Sequence, residues 1–142
     1  MAFANPTRDE IKQILADCKN IAVVGLSDNP ERTSHMVAKA MQERGYRIIP
    51  VNPTAAGKEI LGETCYASLK DIPEQVDLVN VFRRSEHTPE VAEQAVQVGA
   101  RTLWLQLGIY NEEAAEIARR GGLNVIMDRC IKVEEAVLRP RG

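Results

Sequence analysis

Asn20-Ile21-Ala22-Val23-Val24-Gly25-Leu26 is a short apolar run that ends in a glycine and gives way to a polar loop. Runs of this kind suit a strand buried on both faces, as in a parallel sheet. Upstream, Thr7-Arg8-Asp9-Glu10 reads as a capping box, in which the Thr7 hydroxyl accepts from the Glu10 amide and the Glu10 side chain reaches back. Ile11, Ile14, Leu15 and Cys18 then recur at helical spacing, which predicts a first helix of about three turns. Downstream, Thr33 or Ser34 is expected to cap a second helix with Met36, Val37, Ala40 and Met41 along its apolar stripe, and Gly45 to terminate it. Tyr46 to Asn52 is the next expected strand, with Pro50 predicting an incomplete ladder near that end. After Pro53 the chain reads as irregular through Gly57 and Gly62, apart from a short strand around Thr64-Cys65-Tyr66.

The second half alternates more cleanly. Asp77 to Phe82 reads as a strand, and Thr88-Pro89-Glu90 opens a helix with a cap, an early proline and an early carboxylate. That helix is expected to end at Gly99, followed by a strand from Thr102 to Leu107. Asn111 then caps a helix through Arg120 that Gly121-Gly122 stops, Asn124 to Met127 is a last strand, and Ile131 to Leu138 a closing helix. Strands alternating with helices of this length imply right-handed βαβ crossovers. The expected fold class is therefore α/β: a three-layer, Rossmann-like, doubly wound and mainly parallel sheet of five to six strands, with helices on both faces.

Length and composition set the frame. A chain of 142 residues is expected to form a single domain over 1–142, large enough to fold without staples. A net charge of -2 gives no field suited to nucleic acid or a membrane surface, so an anion site must be local. No apolar run is long enough to cross a bilayer, and Met1 to Pro6 lacks the charged and apolar regions of a secretion signal. Cys18, Cys65 and Cys130 are an odd set with no C-x-x-C pair, as expected of reduced thiols in the cytoplasm.

Ligands of open doubly wound sheets bind beyond the carboxyl ends of the strands, near the point where strand order reverses. After the first strand come Gly25, Ser27, Asp28, Asn29, Pro30, Arg32, Thr33 and Ser34. A glycine there allows close backbone approach to a phosphate, and the following helix start offers free N–H groups and a positive dipole end. The loop is not G-x-G-x-x-G, since Ser27 and Pro30 stand at the second and third glycine positions. The second strand ends in Val51-Asn52-Pro53, without the carboxylate that an NAD site uses for its ribose diol. A phosphorylated ribose would be repelled by such a carboxylate, so this end suits a 2′- or 3′-phosphonucleotide.

Arg83 and Arg84 directly follow the Asp77 strand, where guanidinium groups pair with phosphate oxygens or stack on a base. For both the loop and the arginines a purely structural or solvated role stays open. Trp104 reads as a core residue, Phe82 as core or as a ring that packs an adenine, Glu112, Glu113 and Glu116 as a solvated helix face, and His35 and His87 as surface or site-edge groups. No nucleophile elbow, P-loop or metal-ligand spacing is present, so no catalytic or metal residue is assigned.

Five segments in order, Ala22-Val23-Val24-Gly25-Leu26-Ser27, Pro50-Val51-Asn52-Pro53, Val81-Phe82-Arg83-Arg84-Ser85, Trp104-Leu105-Gln106-Leu107-Gly108 and Met127-Asp128-Arg129-Cys130, resemble the small stand-alone CoA-binding proteins. That family is in turn similar to the N-terminal CoA-binding domain of the succinyl-CoA synthetase α subunit. The resemblance implies coenzyme A as cofactor, held at Ser27, Asp28, Asn29, Pro30 and Arg32 and again at Leu105, Gln106 and Leu107. Where the synthetase carries a lysine after its second strand, Thr54 stands here and Lys58 follows. The synthetase's phosphohistidine belongs to a second domain, so the resemblance implies the cofactor grip without the reaction.

The expected site is thus Gly25, Ser27, Asp28, Asn29, Pro30, Arg32, Thr33, Ser34, Asn52, Pro53, Arg83, Arg84, Leu105, Gln106, Leu107, Gly108 and Cys130. Cys130 has two readings: a small buried hydrophobe, or a thiol activated by Arg129 and a helix start that forms a mixed disulfide with CoA. The expected function is CoA or acyl-CoA binding without autonomous catalysis. The alternatives are an NAD(P)-binding redox-sensing or regulatory domain and a subunit of an acyl-CoA-using enzyme. The expected partner is the small nucleotide ligand, with homo-oligomerisation and an enzyme partner left open.

Overall fold

The computed structural model describes residues 3–140. The outer limits of the expected 1–142 domain, and Met1 and Ala2 of the segment read as unlike a secretion signal, lie outside the described residues. The elements run α1 (Arg8–Asp17), β1 (Asn20–Val24), α2 (Thr33–Glu43), β2 (Arg47–Val51), β3 (Glu59–Ile60), β4 (Glu63–Thr64), β5 (Leu78–Val81), α3 (Thr88–Gln97), β6 (Thr102–Leu105), α4 (Glu112–Arg120), β7 (Asn124–Ile126) and α5 (Ile131–Leu138).

The main sheet has the order β2-β1-β5-β6-β7 and every pairing in it is parallel. The order reverses between β1 and β5. Alternation along each strand divides the core. Ile21 and Val23 face Ile11 and Leu15 of α1, Val37 and Met41 of α2 and Ile131 of α5. Ala22 and Val24 face the other layer, with Val91 and Ala95 of α3 and Ala114 and Ala118 of α4. The expected three-layer, doubly wound fold is what the chain adopts. Trp104 is fully buried, and its indole N–H donates to the Arg129 carbonyl at 2.9 Å.

Local chemistry explains most of the elements. The Thr7–Glu10 capping box forms as expected, and the Asn111 side chain accepts from Ala114 N at 2.8 Å to cap α4. Two expected caps do not form. The N-cap of α2 is Arg32, and the Ser34 hydroxyl instead accepts from Ser27 N at 3.0 Å. Thr88 lies inside α3, with its hydroxyl donating to the Ser85 carbonyl at 2.7 Å, and His87 is the N-cap. Met36 is half exposed, because the buried arc of α2 runs through Ser34, Val37, Ala38 and Met41 at i, i+3, i+4 and i+7.

Pro50 fits because β2 is an edge strand. Its carbonyl accepts from Tyr66 N on the outer side, where its own missing N–H would also point, so pairing with β1 loses nothing. Tyr66 makes only a single parallel bridge to Val51; the expected strand there is the β3–β4 hairpin instead, turned by Leu61 and Gly62, both at positive φ. On the opposite edge, the Asn5 side chain accepts from Met127 N and donates to Met127 O, at 2.8 and 2.9 Å.

Where the strands begin, the ionic groups are tied together. Asp77 accepts from the backbone N–H groups of Lys19 and Asn20. Glu135 of α5, 3% exposed, takes Arg44 on one oxygen and the Tyr46 hydroxyl on the other, at 2.8 and 2.5 Å. Arg139 closes this cluster onto Tyr46 at 2.6 Å, and Arg47 sits between Glu63 and Glu74.

Candidate cofactor-binding site

The C-terminal ends of β1, β2 and β5 meet where strand order reverses. Gly25 N donates to Val51 O and Phe82 N to Val24 O, both at 2.8 Å. Gly25 has φ +89, and a Cβ there would lie 2.3 Å from the Phe82 carbonyl oxygen. The close approach that demands glycine is therefore made first by β5, within the chain itself.

The β1–α2 loop is shaped by its own short polar residues. Besides its N–H bond to Ser34, Ser27 accepts from Asn29 N on its hydroxyl, and the Asn29 side chain accepts from Glu31 N, both at 3.0 Å. His35 Nδ1 lies 2.9 Å from the Ser27 carbonyl, which can only accept, so that nitrogen carries the proton. Asn52 locks the facing wall: its amide donates to Leu26 O, and its carbonyl accepts from the Thr54 N–H and hydroxyl. Lys58 reaches Asp28 at 3.8 Å between the two walls.

The walls enclose a cleft of about 580 Å³. Among the expected residues it brings together Gly25, Ser27, Asp28, Arg32, Thr33, Ser34 and Asn52. Glu31, Thr54 and Phe82 also line it outside the expected set: Thr54 stands where the synthetase carries a lysine, Phe82 reads in sequence as core or as packing an adenine, and Glu31 offered only its place in the loop as a signal. Asn29, Pro30 and Pro53 are exposed beside the cleft. Arg83 is half-buried and Arg84 exposed, directly after Phe82. Among the described residues, the side chains of Arg32, Arg83 and Arg84 make no hydrogen bond or ion pair. They are donors available to an anion.

The remaining expected residues form a second group over the ends of β6 and β7. The Leu105 side chain is fully buried in the core, and Gln106 is spent on Asn80 and on Ile131 N, each at 3.3 Å. Leu107, in contrast, is 65% exposed, and Gly108 N donates to Asp128 Oδ1 at 2.7 Å. Cys130 is half-buried at the start of α5, while the Arg129 guanidinium turns to Glu134 at 3.7 Å. With roughly 4.8 Å between neighbouring strands, β7 lies about 14 Å along the edge from β1. The two groups share one edge without sharing one cleft.

Residues 19–136 match the family described as CoA binding domain. The chain belongs to that family. Within reach of the family's range, it is 56% identical over 133 residues to the uncharacterized protein YneT of Bacillus subtilis, covering 94% of this chain and 97% of YneT. It is also similar to a hypothetical protein of known structure from Pyrococcus horikoshii, with 39% identity and a TM-score of 0.89 over 97% of this chain and 99% of that one. The family's domain recurs in larger proteins. An ADP-forming acetate–CoA ligase of Methanocaldococcus jannaschii is 25% identical over 89% of this chain, which spans 19% of the ligase. Among the described residues no helix is long and apolar enough to cross a membrane, and no group of three His, Cys, Asp or Glu residues is placed to hold a metal ion.

Proposed function

We propose that the protein binds coenzyme A, free or acylated, along the carboxyl edge of its sheet, and that it acts as a binding protein without catalysis of its own. The observation that carries this reading is a cleft at the point of strand reversal that is lined by Arg32 and Phe82, with Arg83 and Arg84 next in the chain after Phe82 and all three arginines without internal partners among the described residues. The donor set fits a nucleotide carrying a diphosphate and a ribose phosphate. The start of α2 and the Thr33 hydroxyl suit the diphosphate, and the guanidinium groups suit the phosphorylated ribose. The end of β2 offers Asn52, whose side chain is already committed, and no carboxylate to repel that phosphate. Three free thiols are compatible with work in the reducing cytoplasm.

Calorimetry with CoA, 3′-dephospho-CoA, NADH and NADPH tests this. CoA is expected to bind about tenfold or more tightly than 3′-dephospho-CoA, the difference one charge-assisted hydrogen bond makes. Equal affinities would remove the arginines from the ribose phosphate, and a preference for NADH or NADPH would overturn the CoA reading. A second reading, a subunit of an acyl-CoA-using enzyme, is favoured by the similarity to the ADP-forming acetate–CoA ligases. Co-purification of a second chain with the protein, at fixed stoichiometry, would support it.

A further inference from the structure

Asp128 follows β7 with φ +58, a left-handed conformation that few residues other than glycine hold. Its carboxylate accepts from Gly108 N at 2.7 Å, and its own N–H donates to Ile109 O at 3.1 Å. Gly108, at φ +84, is also left-handed. The loops after β6 and β7 are thus fastened to each other by both the backbone and the side chain of one residue. Trp104 Nε1 to Arg129 O and Ile131 N to Gln106 Oε1 add two further braces from below. What this fastening holds up is Leu107, the residue between Gln106 and Gly108, with 65% of its surface in water. A braced loop that presents an apolar side chain to solvent makes a shelf.

The shelf lies within reach of a CoA seated in the cleft. The pantetheine arm has about twelve bonds between diphosphate and sulfur, as many as four residues of backbone, and extends about 14 Å. Leu107 follows β6, two strand spacings or about 10 Å from β1, and β7 is about 14 Å away, both within that reach. We propose that Asp128 is a positioning residue for the thiol end of CoA: by fixing Gly108 it sets Leu107 as the surface along which the arm lies. The proposal rests on the CoA reading above. A loop fixed before binding spares the ligand the cost of ordering it, so the contribution of Asp128 belongs to the arm and not to the nucleotide.

The test compares CoA with 3′-phosphoadenosine 5′-diphosphate, the same nucleotide without the arm, by calorimetry on the wild type, Asp128→Ala, Asp128→Asn and Leu107→Ala. The wild type is expected to bind CoA more tightly. Asp128→Ala should weaken CoA about tenfold and leave the armless nucleotide within about twofold. Asp128→Asn, which keeps an acceptor and tolerates the left-handed backbone, should recover most of that loss. Leu107→Ala, the removal of an exposed side chain, should also weaken CoA alone and serves if Asp128→Ala does not fold. Equal weakening of both ligands, no weakening of either, or no gain from the arm in the wild type would overturn the role of Asp128. Failure of the wild type to bind either ligand would overturn the CoA reading beneath it.

Discussion

At the end of the sheet where the strands begin, Glu135 is closed on by Arg44, Tyr46 and Arg139, Asp77 by two backbone N–H groups, and Arg47 by two glutamates. At the end where the strands finish, Arg32, Arg83 and Arg84 have no partner among the described residues, although Asp28 and Glu31 line the cleft beside Arg32. The first arrangement spends its charge on joining α1, α2, β2 and α5. The second keeps positive charge in water beside a concave surface. Single exposed charges are common and contribute little to stability. Arg32 in the cleft, with Arg83 and Arg84 just beyond Phe82, is the grouping from which the CoA proposal starts.

The largest expected effect is at the beginning of the strands. Glu135→Ala removes the buried carboxylate that joins Arg44, Tyr46 and Arg139, whose guanidinium groups can still reach water, and should destabilise the fold by about 3 kcal/mol in urea denaturation. If CoA affinity of the folded fraction falls with it, the two ends are coupled and the division drawn above fails. Gly25→Ala comes next. It forces a Cβ against the Phe82 carbonyl at a positive φ, and should cost about 1–3 kcal/mol while also narrowing the cleft. A neutral result would mean that β1 and β5 separate easily at their ends.

Replacing both Arg83 and Arg84 by alanine should do the opposite of Glu135→Ala. Stability without ligand should stay within about 0.5 kcal/mol, while CoA affinity falls about tenfold and its salt dependence weakens. Lost stability with unchanged affinity would make the pair structural. A smaller effect sharpens the contrast by pH. Burial, and then the bond to Glu135, push the Tyr46 hydroxyl well above its ordinary value near 10. With the folded value above the unfolded one, this contribution is complete below about pH 10 and is lost as pH rises further. Tyr46→Phe should cost about 1 kcal/mol at pH 7 and flatten the alkaline decline in thermal melts. The smallest effect is on thiol labelling. Burial pushes Cys18 up to about 12 and raises Cys65, so both stay protonated at pH 8, and the half-exposed Cys130 should alkylate first in the native protein. Earlier labelling of Cys65 would show that its buried site opens readily, and earlier labelling of the partly exposed Cys18 would show that its raised pKa does not protect it.

The layer architecture was legible because it rests on local signals: buried runs such as Ile21–Val24 and Leu78–Val81, the Thr7 and Asn111 caps, and glycines after helices. The cap of α2 was misread because the Ser34 hydroxyl can satisfy either its own helix or the Ser27 N–H seven residues earlier, and only the folded loop decides. The cleft was legible in part, since strand ends are visible in sequence. Its division from the β6–β7 shelf was not, because strand order fixes the distance between loops, and the burial of Leu105 beside the exposure of Leu107 depends on where β6 stops. Asp128 stands in one of the segments that carry the family resemblance, but nothing there marks its backbone: a left-handed aspartate is written in the same letters as any other.

Both borders of the main sheet are already engaged. Tyr66 and Pro50 occupy one, and the Asn5 side chain matches the donor and acceptor of Met127 on the other. A border strand with free backbone groups is a template on which a second chain can extend the sheet, and it is the usual starting point of aggregation. Here one side offers a residue without an N–H, and the other is only three residues long before a side chain imitates the next strand. The protein can therefore keep unpartnered arginines open at one end of its strands without inviting its neighbours to join along their length.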